Sequence, residues 1–184
     1  MSKKIIWVVA MFVLILGIFL ISGTLKKDDD EEIKKAVYSL GHPLTVLAHI
    51  EILDSKNAIA FYEWGRGEEA SFGNVILKKK LWGWEIVGGG SLLLLDESKL
   101  NGGHTSLRQN FSEYTDLLRG KISDPDIAEV RVITRYGSEY EATIVEYNNN
   151  DKFWFLISNG EDLLGSKVTG RSSAADIIEE IVIE

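Results

Sequence analysis

The stretch Lys78–Ser91, KKKLWGWEIVGGGS, sets two tryptophans one residue apart and follows them with three glycines. How it is read decides the fold, because a glycine loop for phosphate and a β-hairpin require different surroundings. A phosphate loop needs a strand, then G-x-x-x-x-G-K-S/T, then a helix. Here Gly88-Gly89-Gly90 leads into Ser91 and four leucines, with no lysine in place. The dinucleotide pattern G-x-G-x-x-G fails too, since no strand–helix–strand unit surrounds it. In an alternating strand Trp82, Trp84 and Ile86 share one face, opposite Leu81, Gly83, Glu85 and Val87. Tryptophans at that period are usually core, and the glycines would let the chain turn or pass close to another backbone. A structural hairpin is therefore the expectation, with an exposed aromatic binding surface and a true ligand loop as the alternatives.

Strand patterns extend on both sides. Val46, Ala48, Ile50 and Ile52 alternate with Leu47, His49, Glu51 and Leu53, and Asp54-Ser55-Lys56-Asn57 reads as a turn. AIAFYEW and EASFGNVILKKK continue a meander of about four strands. Ahead of it, DDDEEIKKAVYSLGHP reads as a short helix. Acidic residues Asp28 to Glu32 open it, Ile33, Val37 and Leu40 form a stripe, and Gly41 and Pro43 end it. Adjacent acids lack the alternating spacing of a calcium loop. A second helix is predicted in GHTSLRQNFSEYTDLLRG, with Ser106 and Gln109 as a capping box, Leu107, Phe111, Tyr114 and Leu118 as one face, and Gly120 at the C-terminal cap. AEVRVITRY, EYEATIVEY, DKFWFLIS and LLGSKVTG follow as strands, and SSAADIIEEIVIE is predicted to close the chain as a third helix.

The expected fold class is therefore α+β: an N-terminal transmembrane helix, two helix-plus-antiparallel-meander units that could be duplicates of cystatin-like or PepSY-like layout, and a C-terminal helix. The boundaries are 1–25 for the anchor, 26–95 for the first unit and 96–184 for the second. The anchor rests on residues 5–21, IIWVVAMFVLILGIFLI, preceded by Lys3 and Lys4 and carrying Trp7 at interfacial depth. As a helix that run spans about 26 Å, close to the ~30 Å hydrocarbon thickness. Cleavage signals around Ser22 and Gly23 are poor, which favours a retained signal anchor. The short basic start favours an extracytoplasmic C-terminal domain, although Lys26, Lys27, Lys34 and Lys35 flank the other end.

Composition excludes more than it assigns. With a net charge of −8 the chain lacks the basic footprint of nucleic-acid binding. Cysteine is absent, which removes disulfides, thiolate metal sites, a cysteine nucleophile and a lipidated cysteine. His49 and Glu51 share a strand face and could be two metal ligands, but no third can be named. Ser91 has no identifiable base, and neither G-x-S-x-G nor S-x-x-K occurs. With 28 acidic residues, no carboxylate pair for glycoside hydrolysis can be nominated. The loop EWGRGEE offers Trp64 and Arg66 as candidate partner-binding residues, a combination enriched at interfaces.

The stretches ILKKKLWGWEIVGGGS, HIEILDSKNAIAFYEW and LRGKISDPDIAEVRVITRYGSEYEATIVEYNNNDKFWF resemble a family of small uncharacterised proteins of Bacillus-like Gram-positive bacteria. Those have an N-terminal anchor or lipoprotein signal, a G-W-x-x-x-G-G-G strand end and a downstream glycine–isoleucine–x–D–P–x–I segment. The resemblance implies location and architecture, and no catalytic residue or cofactor. This chain departs from the lipoprotein members in having no cysteine. The resulting expectation is a single-pass membrane protein presenting a non-enzymatic binding or assembly module at the cell envelope, with the bilayer and an unidentified protein or envelope component as partners. An envelope hydrolase whose site forms only in three dimensions, or an accessory subunit of a transport or secretion complex, is the alternative.

Overall fold

The computed structural model describes residues 29–66, 70–94 and 98–184. Among them one helix, α1 (Asp29–Tyr38), precedes twelve strands in three antiparallel four-stranded sheets. The first sheet holds β1 (Val46–Ile52), β2 (Asn57–Trp64), β3 (Ser71–Lys80) and β4 (Gly83–Leu93) in sequential order. The second has the order β5-β6-β10-β9, from Gly103–Ser106, Asp116–Ile122, Asp151–Ile157 and Thr143–Tyr147. The third has the order β12-β11-β7-β8, from Ile177–Val182, Lys167–Arg171, Glu129–Ile133 and Glu139–Glu141.

The second sheet is the middle layer, as its side chains show. Leu117, Phe153 and Phe155 join Ile59, Phe61, Phe72 and Ile76 of the first sheet. Leu118, Ile122 and Trp154 join Val130, Val132 and Val168 of the third. Successive strand residues point to opposite faces, so neighbouring leucines 117 and 118 serve different cores. On the outer face of the first sheet, α1 lays Ile33 and Val37 over Ala58, Ala60, Val75, Leu77 and Trp84. The order of layers is helix, sheet, sheet, sheet.

All seven residues of β6 are buried, including Asp116, Arg119 and Lys121. Asp116 accepts from the Leu163 backbone N–H at 3.0 Å and lies 3.1 Å from His104 Nε2. Lys121 Nζ donates to Glu63 of β2 at 2.8 Å and to the Tyr147 hydroxyl at 2.5 Å. Tyr147 donates in turn to Glu63 at 2.5 Å. Burial first, and then the hydrogen-bonded Glu63 carboxylate, hold this phenol well above its ordinary range. The cluster fastens the first sheet to the second.

Several expectations are overturned. The α+β class, with two helix-plus-meander units and a C-terminal helix, gives way to a mostly β fold. Where the second helix was expected, β5 is followed by a turn and then β6. Leu107 and Phe111 are buried there, but only one helical turn forms, with Phe111 N–H bonding Leu107 C=O at 2.8 Å. Leu117 and Leu118 diverge because sheets cover β6 on both faces, so packing overrides the helical spacing. Where the third helix was expected, Ser172 Oγ accepts from the Ala174 and Asp176 N–H groups and caps a turn. The β-branched run that follows pairs with β11 as β12.

The structure gives no support to the membrane-spanning helix, or to the signal-anchor and single-pass cell-membrane assignments that rest on it. Among the described residues no helix is long and apolar enough to cross a membrane. α1 has ten residues, about 15 Å, and opens on four acids. Residues 1–25, including Lys3, Lys4 and Trp7, lie outside the described part.

Gly120 illustrates how tightly the middle layer is closed. It pairs directly with Trp154, whose Nε1 donates to Asn101 C=O at 2.9 Å. A Cβ at position 120 would lie 1.8 Å from that carbonyl oxygen and 2.6 Å from the indole nitrogen. Backbone cannot yield as a flexible side chain can. Gly120→Ala should cost about 3 kcal/mol or more, the upper range for overpacking, read as a lower urea midpoint at unchanged slope. A loss under about 0.5 kcal/mol, the size of an ordinary surface change, would contradict this packing.

Candidate functional site

The β3–β4 hairpin answers the question raised by its sequence, although the chain turns elsewhere than at the glycines. β3 and β4 pair from Ser71↔Leu93 to Lys80↔Gly83, and the reversal falls at Leu81 and Trp82. Gly88, Gly89 and Gly90 lie inside β4, paired with Ile76, Val75 and Asn74. Positive φ is carried by Gly83 at 125°, which spares the two bulky turn residues the left-handed region.

The two tryptophans therefore part company. Trp84 is 8% exposed and packs beneath α1, whereas Trp82 is 90% exposed and Leu81 is 87% exposed. They do not form the shared core face expected of an unbroken strand. Lys78, Lys79 and Lys80 lead directly into the tip.

The base of the tip is held by α1. Asp29 Oδ1 accepts from Lys79 Nζ at 2.6 Å and from Trp84 Nε1 at 3.0 Å. The Lys79 bond first, and then the Trp84 bond, keep this carboxyl below its ordinary range. Lys79 Nζ also stands 5.7 Å from the centre of the Trp84 ring. Glu32 approaches Gly83 so closely that a Cβ there would lie 2.9 Å from its Oε2.

Between α1 and the start of β4 runs a groove of about 460 Å³, lined by Glu32, Lys35, Ser39, Trp82, Trp84 and Ile86. A second hollow of about 200 Å³ lies on the other flank, between Asp29, Glu32, Lys80 and Trp82. Trp82 thus stands between two recesses on a fixed support. Such a surface can hold an apolar side chain or ring against the indole, with charged groups at its rim.

The residues nominated from sequence lie at the far end of the same sheet. Trp64 pairs with Ser71, a whole strand away from Lys80. Its ring is half-buried and stacks on His42 at 4.7 Å and on Tyr62 at 4.9 Å. Arg66 is exposed just beyond the strand end. Neither reaches the hairpin tip. His49 Nε2 does meet Glu51 Oε2, at 3.0 Å, with the imidazole against Phe155. Among the described residues no group of three or more histidine, aspartate and glutamate side chains converges.

Sequence reading missed Leu81 and Trp82 as exposed residues. The signal was present: a glycine directly after the pair, between two runs of strand pattern, marks a tight turn. No family model matches the chain, and no curated protein or solved structure matches it.

The Asp29 clamp titrates. Its carboxyl is depressed in the fold, so its contribution is complete above the unfolded value near ~3.9 and is lost as pH falls through the lower folded value. Both partners are partly exposed, and the contribution stays within about 1 kcal/mol. The Trp84 indole N–H resonance should follow an acid transition with its midpoint below the ordinary aspartate value. In Asp29→Asn that transition should vanish; an unchanged transition in this variant would separate Trp84 from Asp29.

Proposed function

We propose that this protein is a non-enzymatic binding or assembly module that docks a protein partner through the Leu81–Trp82 hairpin tip. The observation that carries this reading is the exposure of a leucine–tryptophan pair on a turn whose base is fastened to α1. Scattered exposed apolar residues are ordinary on a protein surface. An exposed tryptophan beside a leucine, rimmed by lysines and flanked by two recesses, is the composition of an interface centre. Because the hairpin is already held, docking would cost little ordering entropy. Lysines 78, 79 and 80 favour a partner surface with acidic groups around an apolar pocket.

The test uses the full chain in its native cells, with a photo-crosslinking amino acid at position 82. The control carries it at Tyr136, which is 67% exposed on the β7–β8 turn. A discrete protein adduct is expected from position 82 and not from position 136. In a binding measurement against that protein, Trp82→Ala should weaken affinity by about 2 kcal/mol or more, roughly 30-fold. Thermal stability should hold within about 0.5 kcal/mol. Equal labelling at the two positions, or adducts to lipid alone, would contradict the proposal.

A further inference from the structure

β6 carries one buried charge that no described residue answers. Arg119 is 1% exposed and points from the middle sheet toward the first. Among the described residues no carboxylate pairs with it and its Nε and Nη1 have no hydrogen-bond partner. Beside it in β3, Asn74 is also 1% exposed, and its Nδ2 is unpartnered as well. The Asn74 acceptor is already used, since Thr105 Oγ1 donates to Asn74 Oδ1 at 3.3 Å.

Glycines make the room for this cluster. A Cβ at Gly90 would lie 2.8 Å from Thr105 Oγ1 and 2.9 Å from Arg119 Nη2. One at Gly103 would lie 3.5 Å from Arg119 Nη1. The third glycine of the G-G-G run thus leaves space that the Thr105 hydroxyl and the guanidinium take up.

These groups have one chemical character: several N–H donors, one full positive charge and no free carboxylate. Burial lowers the Arg119 pKa to about 10, which leaves the group protonated at neutral pH. Water could satisfy the donors but would leave the charge uncompensated, and a buried unpaired charge is strongly destabilising. We infer that Arg119 and Asn74 form an internal site for a small monovalent anion of halide size, held between the first and second sheets by the guanidinium and the Asn74 amide. The bound anion would then belong to the packing of the two sheets, in the manner of a structural ion.

The test is thermal unfolding of the full chain at fixed ionic strength, with sodium gluconate exchanged stepwise for sodium bromide. Gluconate serves as the bulky organic anion against which a halide is compared. The melting temperature should climb with the logarithm of bromide concentration. In Asn74→Asp, where an isosteric carboxylate supplies the negative charge, the melting temperature in gluconate should rise and the bromide dependence should disappear. Crystals grown in bromide should show an anomalous peak within hydrogen-bond distance of Arg119 and Asn74. Equal melting in the two salts, or a bromide dependence that persists in Asn74→Asp, would overturn the inference. If Asn74→Asp fails to fold, the wild-type anomalous map decides alone, and no peak beside the guanidinium would overturn it.

Discussion

The structure depends on a sheet buried on both faces. β6 and β10 form the centre of the middle layer, and each of their residues must satisfy the core on its own side. Leu117, Phe153 and Phe155 face one core; Leu118, Trp154 and Leu156 face the other. A one-residue slip in the β6–β10 pairing would exchange the two sets and place Arg119 and Lys121 against valines. Register is therefore fixed by two cores at once. Gly120 adds a steric lock, since only a residue without a Cβ fits between Asn101 C=O and the Trp154 indole.

This double burial also dictates the polar chemistry. A strand with two covered faces has nowhere to place a charged side chain in water, so each charge needs an internal partner. Asp116 accepts a backbone N–H and has the His104 imidazole nitrogen 3.1 Å away, and Lys121 is given a carboxylate and a phenol. Both arrangements reach outside the second sheet or beyond its regular strands and so join separate parts of the chain. Arg119 is the exception, and that makes it informative. The outer layers are freer. α1 covers the first sheet with two buried residues and an ionic clamp, and the β3–β4 turn projects past it into solvent.

The parts legible in the sequence are those decided locally. The acidic opening of α1, its Ile33–Val37 stripe and Gly41 at φ 71° beyond its end all follow from capping chemistry and chain geometry. The turns at Gly137 and Asn148-Asn149-Asn150 are likewise positions of positive φ held by residues that tolerate it. What could not be read is whatever depends on a neighbour distant in sequence. In DLLRGKI, polar residues at 116, 119 and 121 around two leucines mimic the stripe of a surface helix. Nothing local reveals that sheets lie on both sides. SSAADIIEEIVIE shows the same ambiguity: its acids suit a helix, but its β-branched residues pair with β11. At the tip, the spacing of Trp82 and Trp84 concealed a turn between Lys80 and Gly83, and only the turn makes one tryptophan core and the other surface.

The most direct test of this account is residue-resolved amide hydrogen exchange on the full chain. Protection tracks the cooperativity of the opening that exposes each amide, and the most buried sheet should open last. The account predicts the slowest exchange in β6 and β10, with Leu117 to Ile122 and Phe153 to Phe155 opening only on global unfolding, and fast exchange at Leu81 and Trp82. Helical protection across residues 106–119, or a β6 that exchanges faster than the outer strands β8 and β12, would contradict it.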